Sequence, residues 1–321
     1  MCLLCIALSY ESTEASEISD SKGKEEKIMK KIIVTLLAAA MVLSLAACGG
    51  SSSGSSGGTA SSGSASSNGT GESGVLKVAM ECGYAPYNWT QSTDANGAVQ
   101  ISGSSDYAYG YDVMMAKKVA EAMGCKLEIV KLDWDSLVPA VQSGKVDCVI
   151  AGQSITADRL QSVDFSNPYY YATIVALVKS DSKYASAKGL SDLAGASCTS
   201  QQSTIWYDKC CSQIPNGNVL AAQESAPAML VALDTGKCDV VVTDKPTGQG
   251  AIIAYTDMKL LDFSGTGDDF KVSDEDINIG VSVKKGNTAL TDKINGVLAG
   301  MTKDDFNSMM QEAISVQPLS E

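Results

Sequence analysis

The chain has 321 residues with 24 basic and 37 acidic side chains, a net charge of −13, and no histidine. Without histidine, Ser-His-Asp and Cys-His catalysis and every histidine-ligated metal site are excluded within this chain. The acidic balance and the lack of a basic stripe exclude nucleic acid as an expected partner.

Residues 1–28 are polar and charged after a short apolar start and show no helical or strand periodicity. Met29-Lys30-Lys31 then introduces a 16-residue apolar stretch, 32–47, that ends in Leu45-Ala46-Ala47-Cys48. A positive start, an apolar middle and small residues before a cleavage point form a secretory signal, too short to span a bilayer. Met29 is therefore the expected true start, with 1–28 an upstream extension that is not translated. The Leu-Ala-Ala-Cys ending, followed directly by Gly49, resembles the lipobox of bacterial lipoproteins. That resemblance implies that 29–47 is removed and that Cys48 is acylated, palmitate included, as a membrane anchor. Residues 48–74 then form the acylated cysteine and a Gly/Ser tether, a flexible coil about 25–30 Å from end to end.

The folded part is expected from Val75. Leu76, Val78 and Met80 alternate as in a strand, which runs into a Gly/Pro turn carrying Tyr84 and Tyr87. Residues 90–109 read as a surface loop or hairpin. Asp112 is expected to cap a helix through Met123, followed by a strand over 126–131, Trp134, and a helix from about Ser136 to Ser143 stopped by Gly144. An apolar strand at 146–151 leads into Gly152-Gln153-Ser154-Ile155-Thr156, with Thr156 as the N-cap of a helix holding Arg159 in its first turn. Hydroxyls and a guanidinium at a helix start suit a carboxylate. Further strands are expected at 174–178, 196–200, 240–243 and 277–283. A polar turn at 201–204 leads into a helix, and Ser225, Asn287 and Thr302 are expected helix caps.

Seven cysteines fall in this region: Cys82, Cys125, Cys148, Cys198, Cys210, Cys211 and Cys238. An odd number leaves at least one unpaired in a monomer, and no spacing matches a zinc ribbon or a CxxC pair. Their apolar settings predict mostly reduced, buried thiols.

One repeat organises the region. Ser143-Gly144-Lys145-Val146-Asp147-Cys148-Val149-Ile150 parallels Thr235-Gly236-Lys237-Cys238-Asp239-Val240-Val241-Val242 at a constant offset of 92. Two related α/β lobes are the expected architecture. The offset maps Gly152 onto Asp244, each just past an equivalent strand end, where open α/β sheets bind ligands. Arg159 on one wall and Asp244 on the other would suit a zwitterion.

Tyr84-Ala85-Pro86-Tyr87, Gly110-Tyr111-Asp112-Val113, 134–144, 151–156 with Arg159, and Asp164-Phe165-Ser166-Asn167-Pro168-Tyr169-Tyr170 together resemble the solute-binding proteins of polar amino-acid ABC transporters (family 3). The resemblance covers about 75–316. It implies an α/β, two-lobed periplasmic-binding-protein-like fold with a two-strand hinge and a ligand cleft between the lobes. Lobe one would comprise 75–170 and 284–321, and lobe two 171–283. The chain would cross near 169–173 and return near 279–283, with the C-terminal helices packing on lobe one. Arg159 would clamp the ligand carboxylate with the Ser154 hydroxyl and backbone N–H groups around Ser203 and Thr204. Asp244 and the Gly152 carbonyl would take the ammonium. Tyr84 and Trp134 would sandwich the side chain, and Glu81 would line its subsite. Gln202 stands where the family usually has glycine. No cofactor, metal or catalytic residue is implied.

The expected function is a lipid-anchored receptor at the outer face of the cytoplasmic membrane, of Gram-positive type. As a monomer, it would capture a polar or cationic amino acid for a membrane permease. An enzyme on the same scaffold, dehydratase-like, would use Glu81 or Asp244 as general acid or base. A sensory input domain would normally be fused to a transmembrane segment and a signalling module, and the sequence shows neither. Tyr84 and Trp134 also read as core aromatics, Ser203 and Thr204 as helix caps, and Glu81 as a solvated acid.

Overall fold

The computed structural model describes residues 74–318. The segment 1–28, the signal-like stretch 29–47, Cys48 and the tether to Ser73 lie outside the described residues. Strand β1 (Val75–Met80) alternates apolar side chains along its length and runs parallel to β6 (Lys126–Lys131) in unbroken register from Val75 opposite Lys126 to Met80 opposite Lys131. Strand β7 (Cys148–Val149) pairs parallel on its other side, and β16 (Ser282–Lys284) and β8 (Val163–Phe165) complete the order β6-β1-β7-β16-β8.

Between Glu81 and Tyr111 the chain adds a small antiparallel sheet in place of a plain loop or hairpin. It consists of β2 (Gly83–Tyr84), β3 (Asn88–Gln91), β4 (Val99–Gln100) and β5 (Tyr107–Tyr109), in the order β2-β3-β5-β4. Alternation turns Trp89 and Tyr109 inward, where their rings meet edge to face at 5.4 Å. The following helix, α1 (Tyr111–Ala122), is preceded by Gly110, not capped by Asp112 as expected. Asp112 is fully buried in the first turn, accepting from Asn88 Nδ2 and the Tyr169 hydroxyl, each at 2.7 Å. Two neutral donors satisfy a carboxylate that would otherwise be costly to bury.

Helix α2 (Leu137–Ser143) ends at left-handed Gly144, and α3 (Ala157–Ser162) begins at Thr156, whose hydroxyl accepts from the Arg159 N–H at 3.2 Å as expected. Strand β9 (Tyr170–Tyr171) then leads out of the first sheet into β10 (Ile174–Lys179) of the second. There the order is β12-β11-β13-β10-β14, built from β11 (Ser197–Thr199), β12 (Asn218–Val219), β13 (Val240–Asp244) and β14 (Met258–Leu261). Strand β11 is parallel to β12 and β13, while β10 is antiparallel to β13 and β14. The helix expected after the 201–204 turn is present as two successive irregular turns, π-helical over Trp206–Cys210 and 3-10 over Cys211–Gln213. Helix α4 (Ala226–Asp234) has the expected Ser225 cap, and α5 (Lys245–Ala254) is capped by Asp244 itself.

The repeat has a structural meaning. Asp147 Oδ2 accepts from the Lys77 N–H and Asp239 Oδ2 from the Ser197 N–H, both at 2.8 Å. The main-chain N–H of each aspartate returns a bond to the same residue's carbonyl at 2.9 Å. In each lobe the aspartate therefore fastens the incoming strand to its parallel neighbour, and Gly144 and Gly236 make the same left-handed exit from the preceding helix.

The strand expected over 277–283 is divided. After the short helix α6 (Asp274–Ile277), β15 (Asn278–Ile279) pairs with β9, and β16 returns to the first sheet. The β9/β15 pair is the two-strand link between lobes. Helices α7 (Thr288–Ala299) and α8 (Lys303–Val316), with the expected Asn287 and Thr302 caps, pack against α1. Among the described residues, no helix is long and apolar enough to cross a membrane.

Candidate functional site

The loop 152–156 leaves the end of β7 and is stitched to the link strand. The Ile155 N–H donates to the Asn278 carbonyl at 2.8 Å, and the Gly280 N–H to the Gln153 carbonyl at 3.1 Å. Gly152 sits at φ +63°, and a Cβ there would lie 2.7 Å from Tyr84 Cε1, so only glycine lets that ring approach. The Gly152 N–H donates to the Tyr169 hydroxyl at 3.1 Å, which itself donates to Asp112. The buried acid thus fixes the loop's first peptide through one tyrosine.

Arg159 is the chain's single arginine. Its Nη1 donates to the Ser154 carbonyl and its Nη2 to the Ser203 carbonyl, both at 2.8 Å. These bonds use two of its five N–H donors and join the first lobe to the second. The guanidinium lies 5.4 Å from the Trp134 ring centroid and makes no ion pair within 4.0 Å among the described residues, with Asp208 as its more distant charged neighbour. Burial pushes its pKa down to about 10, which still leaves it charged at neutral pH.

Asp244 occupies the other wall. It is fully buried, accepts from the Thr247 N–H and hydroxyl at 3.0 Å each, and also accepts from the Tyr84 hydroxyl of the first lobe. Burial raises its pKa, and the three donors oppose that shift. The Tyr84 ring stacks on Tyr87 with centroids 4.8 Å apart. A second acid, Glu81, is held across the lobes by Gln201 Nε2 at 3.2 and 3.3 Å, and burial raises its pKa to about 7. At the lip, Gln202 Nε2 donates to Asp135 Oδ2 at 2.6 Å. The glutamine that departs from the family's usual glycine is thus a lip-to-lip contact.

Between these walls lies a cavity of only about 10 Å³, lined by Tyr84, Trp134, Gly152, Ser154, Arg159, Gln201, Thr204 and Trp206. Six of the nine ligand-contact candidates from the sequence line it. Glu81 stands behind Gln201, Asp244 behind the Tyr84 hydroxyl, and exposed Ser203 contributes its carbonyl to Arg159. Thr204 bonds the Gln201 carbonyl at 2.7 Å, so its hydroxyl shapes the turn as well as facing the cavity. Gln201 and Trp206 were not singled out from the sequence. The available signal was their position just past the end of β11, the same strand-end rule that pointed to Gly152 and Asp244.

The model of the bacterial extracellular solute-binding proteins, family 3, matches residues 76–313. The chain belongs to this family. Over 230 residues it is 32% identical to a "probable histidine-binding protein" of Neisseria gonorrhoeae, covering 70% of this chain and 76% of that protein. A structure of an amino acid ABC transporter substrate-binding protein from Streptococcus pneumoniae, bound to L-arginine, superposes with a TM-score of 0.65 at 25% identity, covering 76% of this chain and 95% of that one. The ancestral amino-acid-binding protein AncCDT-1, a precursor of cyclohexadienyl dehydratase, superposes at 0.61 with 28% identity, covering 75% and 96%. The two-lobed α/β architecture is that of the amino acid ABC substrate-binding proteins.

Proposed function

We propose that this solute-binding protein captures a free polar or cationic amino acid and delivers it to an ABC-type importer in the membrane. The observation that carries the reading is that an Arg159 guanidinium in no direct ion pair and the buried Asp244 carboxylate come from opposite lobes. A zwitterion satisfies both. Its carboxylate takes the free donors of Arg159, with the Ser154 hydroxyl and the N–H groups near Ser203 and Thr204 beside it. Its ammonium takes Asp244 and the Gly152 carbonyl in place of the Tyr84 hydroxyl. Its side chain lies between Tyr84 and Trp134, toward Glu81 and Gln201. Because each lobe supplies one charge, only the closed form satisfies both ends, and the ligand shifts the population toward closure.

Lobe one is assigned to 75–170 and 284–321, and lobe two to 171–283. The lipobox-like Leu45-Ala46-Ala47-Cys48 and the tether support anchoring through acylated Cys48 at the outer face of the cytoplasmic membrane, on a Gram-positive type of surface. The chain would act as a monomer, since one chain supplies both walls. The names of its relatives, which include histidine-, arginine-, cystine- and glutamine-binding proteins, agree with an amino-acid ligand.

Calorimetry against the twenty amino acids tests the reading: one or a few tight ligands are expected, and a flat response to all of them refutes it. A second reading, a dehydratase-like enzyme, draws on the likeness to AncCDT-1 and on Glu81, a carboxyl poised near neutrality as a general acid should be. Steady product formation from a bound ligand would favour that reading over transport.

A further inference from the structure

None of the seven described cysteines is in a disulfide. Three of them, Cys198, Cys211 and Cys238, lie close together in the second lobe. Cys198 is on β11 and Cys211 begins the second irregular turn, and both are fully buried. Cys198 Sγ donates to the Cys211 main-chain carbonyl oxygen at 3.5 Å, so the two residues are in direct contact. Cys210, although adjacent in sequence, has Asp276, Lys209 and Asp269 as its charged neighbours. Cys82, Cys125 and Cys148 belong to the first lobe.

The chain between Cys198 and Cys211 is the segment that carries Gln201, Thr204 and Trp206, every second-lobe residue lining the cavity, and Ser203, whose carbonyl holds Arg159. Ser203 holds φ +57° within it. We propose that Cys198 and Cys211 form a latent disulfide that covalently closes this loop. With the Cys198 sulfur already against the Cys211 main chain, the two side chains need little backbone movement to reach bonding geometry. The oxidant class is a small-molecule disulfide. One cysteine thiolate attacks a sulfur of that molecule, breaking its S–S bond and expelling one thiol, which leaves a mixed disulfide on the protein. The second thiolate then attacks the protein sulfur, forms the Cys198–Cys211 bond and expels the second thiol. The protein loses two electrons and two protons, and the small disulfide gains both. Because both thiols are buried, exchange proceeds through loop opening, slowly in the folded protein and readily in a chain that has yet to fold.

The bridge does not depend on the ligand proposed above. The experiment treats the full chain with oxidised glutathione, or with dithiothreitol as the reduced reference, and maps non-reduced peptides by mass spectrometry. One internal cross-link is expected between the peptides bearing Cys198 and Cys211, about 2 Da lighter than the reduced pair. It should persist in Cys238→Ser and vanish in Cys198→Ser. Amide exchange over 199–210 should slow about tenfold or more in the oxidised form. A bridge to Cys238, glutathione adducts without an internal bond, or thiols that all remain free after oxidation in mild urea would each overturn the proposal. A mapped bridge with unchanged exchange would overturn its restraint of the loop. The wild-type map decides the pairing even where a serine variant fails to fold.

Discussion

Tyr84→Phe removes one hydroxyl and keeps the ring that stacks on Tyr87 and covers Gly152. In the structure this hydroxyl donates to Asp244 across the cleft, where the ammonium of the proposed ligand would have to sit. Asp244 keeps its two bonds from Thr247 either way. A hydrogen bond to a charged, buried acceptor is worth about 1.5–3 kcal/mol. Losing it costs the latched form that amount and costs the liganded form little, because there the ammonium has replaced it. At about 1.4 kcal/mol per factor of ten, competition with the ligand falls by about tenfold to a hundredfold. Where the latched form dominates the free protein, the dissociation constant of an α-amino acid falls by the same factor. A des-amino analogue of the same ligand gains nothing, since it leaves the Asp244 site alone. Calorimetry on wild type and variant with both ligands measures the contrast. Unchanged or weaker amino-acid binding, or equal gains for both ligands, would refute the latch.

Arg159→Ala should weaken amino-acid binding by about 2–5 kcal/mol, with Arg159→Lys recovering only part because the ammonium lacks the two-pronged fork; calorimetric affinities equal to wild type would remove Arg159 from the site. Asp244→Asn should cost α-amino ligands more affinity than des-amino analogues, and equal losses would mean that the carboxylate does not hold the ammonium. Glu81 and Asp112 have pKa values raised by burial from 4.5 and 3.8 to about 7. The folded chain therefore retains protons that the unfolded chain releases above about pH 4. Stability is full below that range and falls as pH rises to 7, by about 3–4 kcal/mol for each group. The urea midpoint should be higher at pH 5 than at pH 8, with Asp112→Asn flattening the difference, and the reverse order would contradict the burial argument. Gly152→Ala must fit a Cβ 2.7 Å from Tyr84 Cε1 at a positive φ, and should lose about 1–3 kcal/mol in denaturant titration.

Helix caps and strand ends were legible where the chemistry is local. Thr156, Ser225, Asn287 and Thr302 each satisfy a main-chain donor within their own turn, and that information sits in a few adjacent residues. Asp112 misled for the same reason. Its position suggests a cap, but its carboxylate is taken by Asn88 and by Tyr169, 57 residues away, and no local pattern reports such distant partners. The 90–109 segment was underestimated because its strands are two to four residues long, too short for period-two alternation to stand out.

At the site, the charges were legible and the contacts between lobes were not. A single arginine among 24 basic residues, placed beside a helix start, is a signal in itself. The repeat then located Asp244 as its counterpart. Tyr84 on Asp244, Gln201 on Glu81 and Gln202 on Asp135 all cross the cleft, between residues 67 to 160 positions apart. Which donor meets which acid depends on how the lobes close. The structure adds why closure and grip belong together. The loop that carries Gly152 and Ser154 is hydrogen-bonded to Asn278 and Gly280 at the link between lobes, and Arg159 spans from that loop to Ser203 on the far side. If Arg159 holds the ligand as proposed, a pull on it is a pull on the hinge, and binding and domain movement would share one short piece of chain with no separate relay between them.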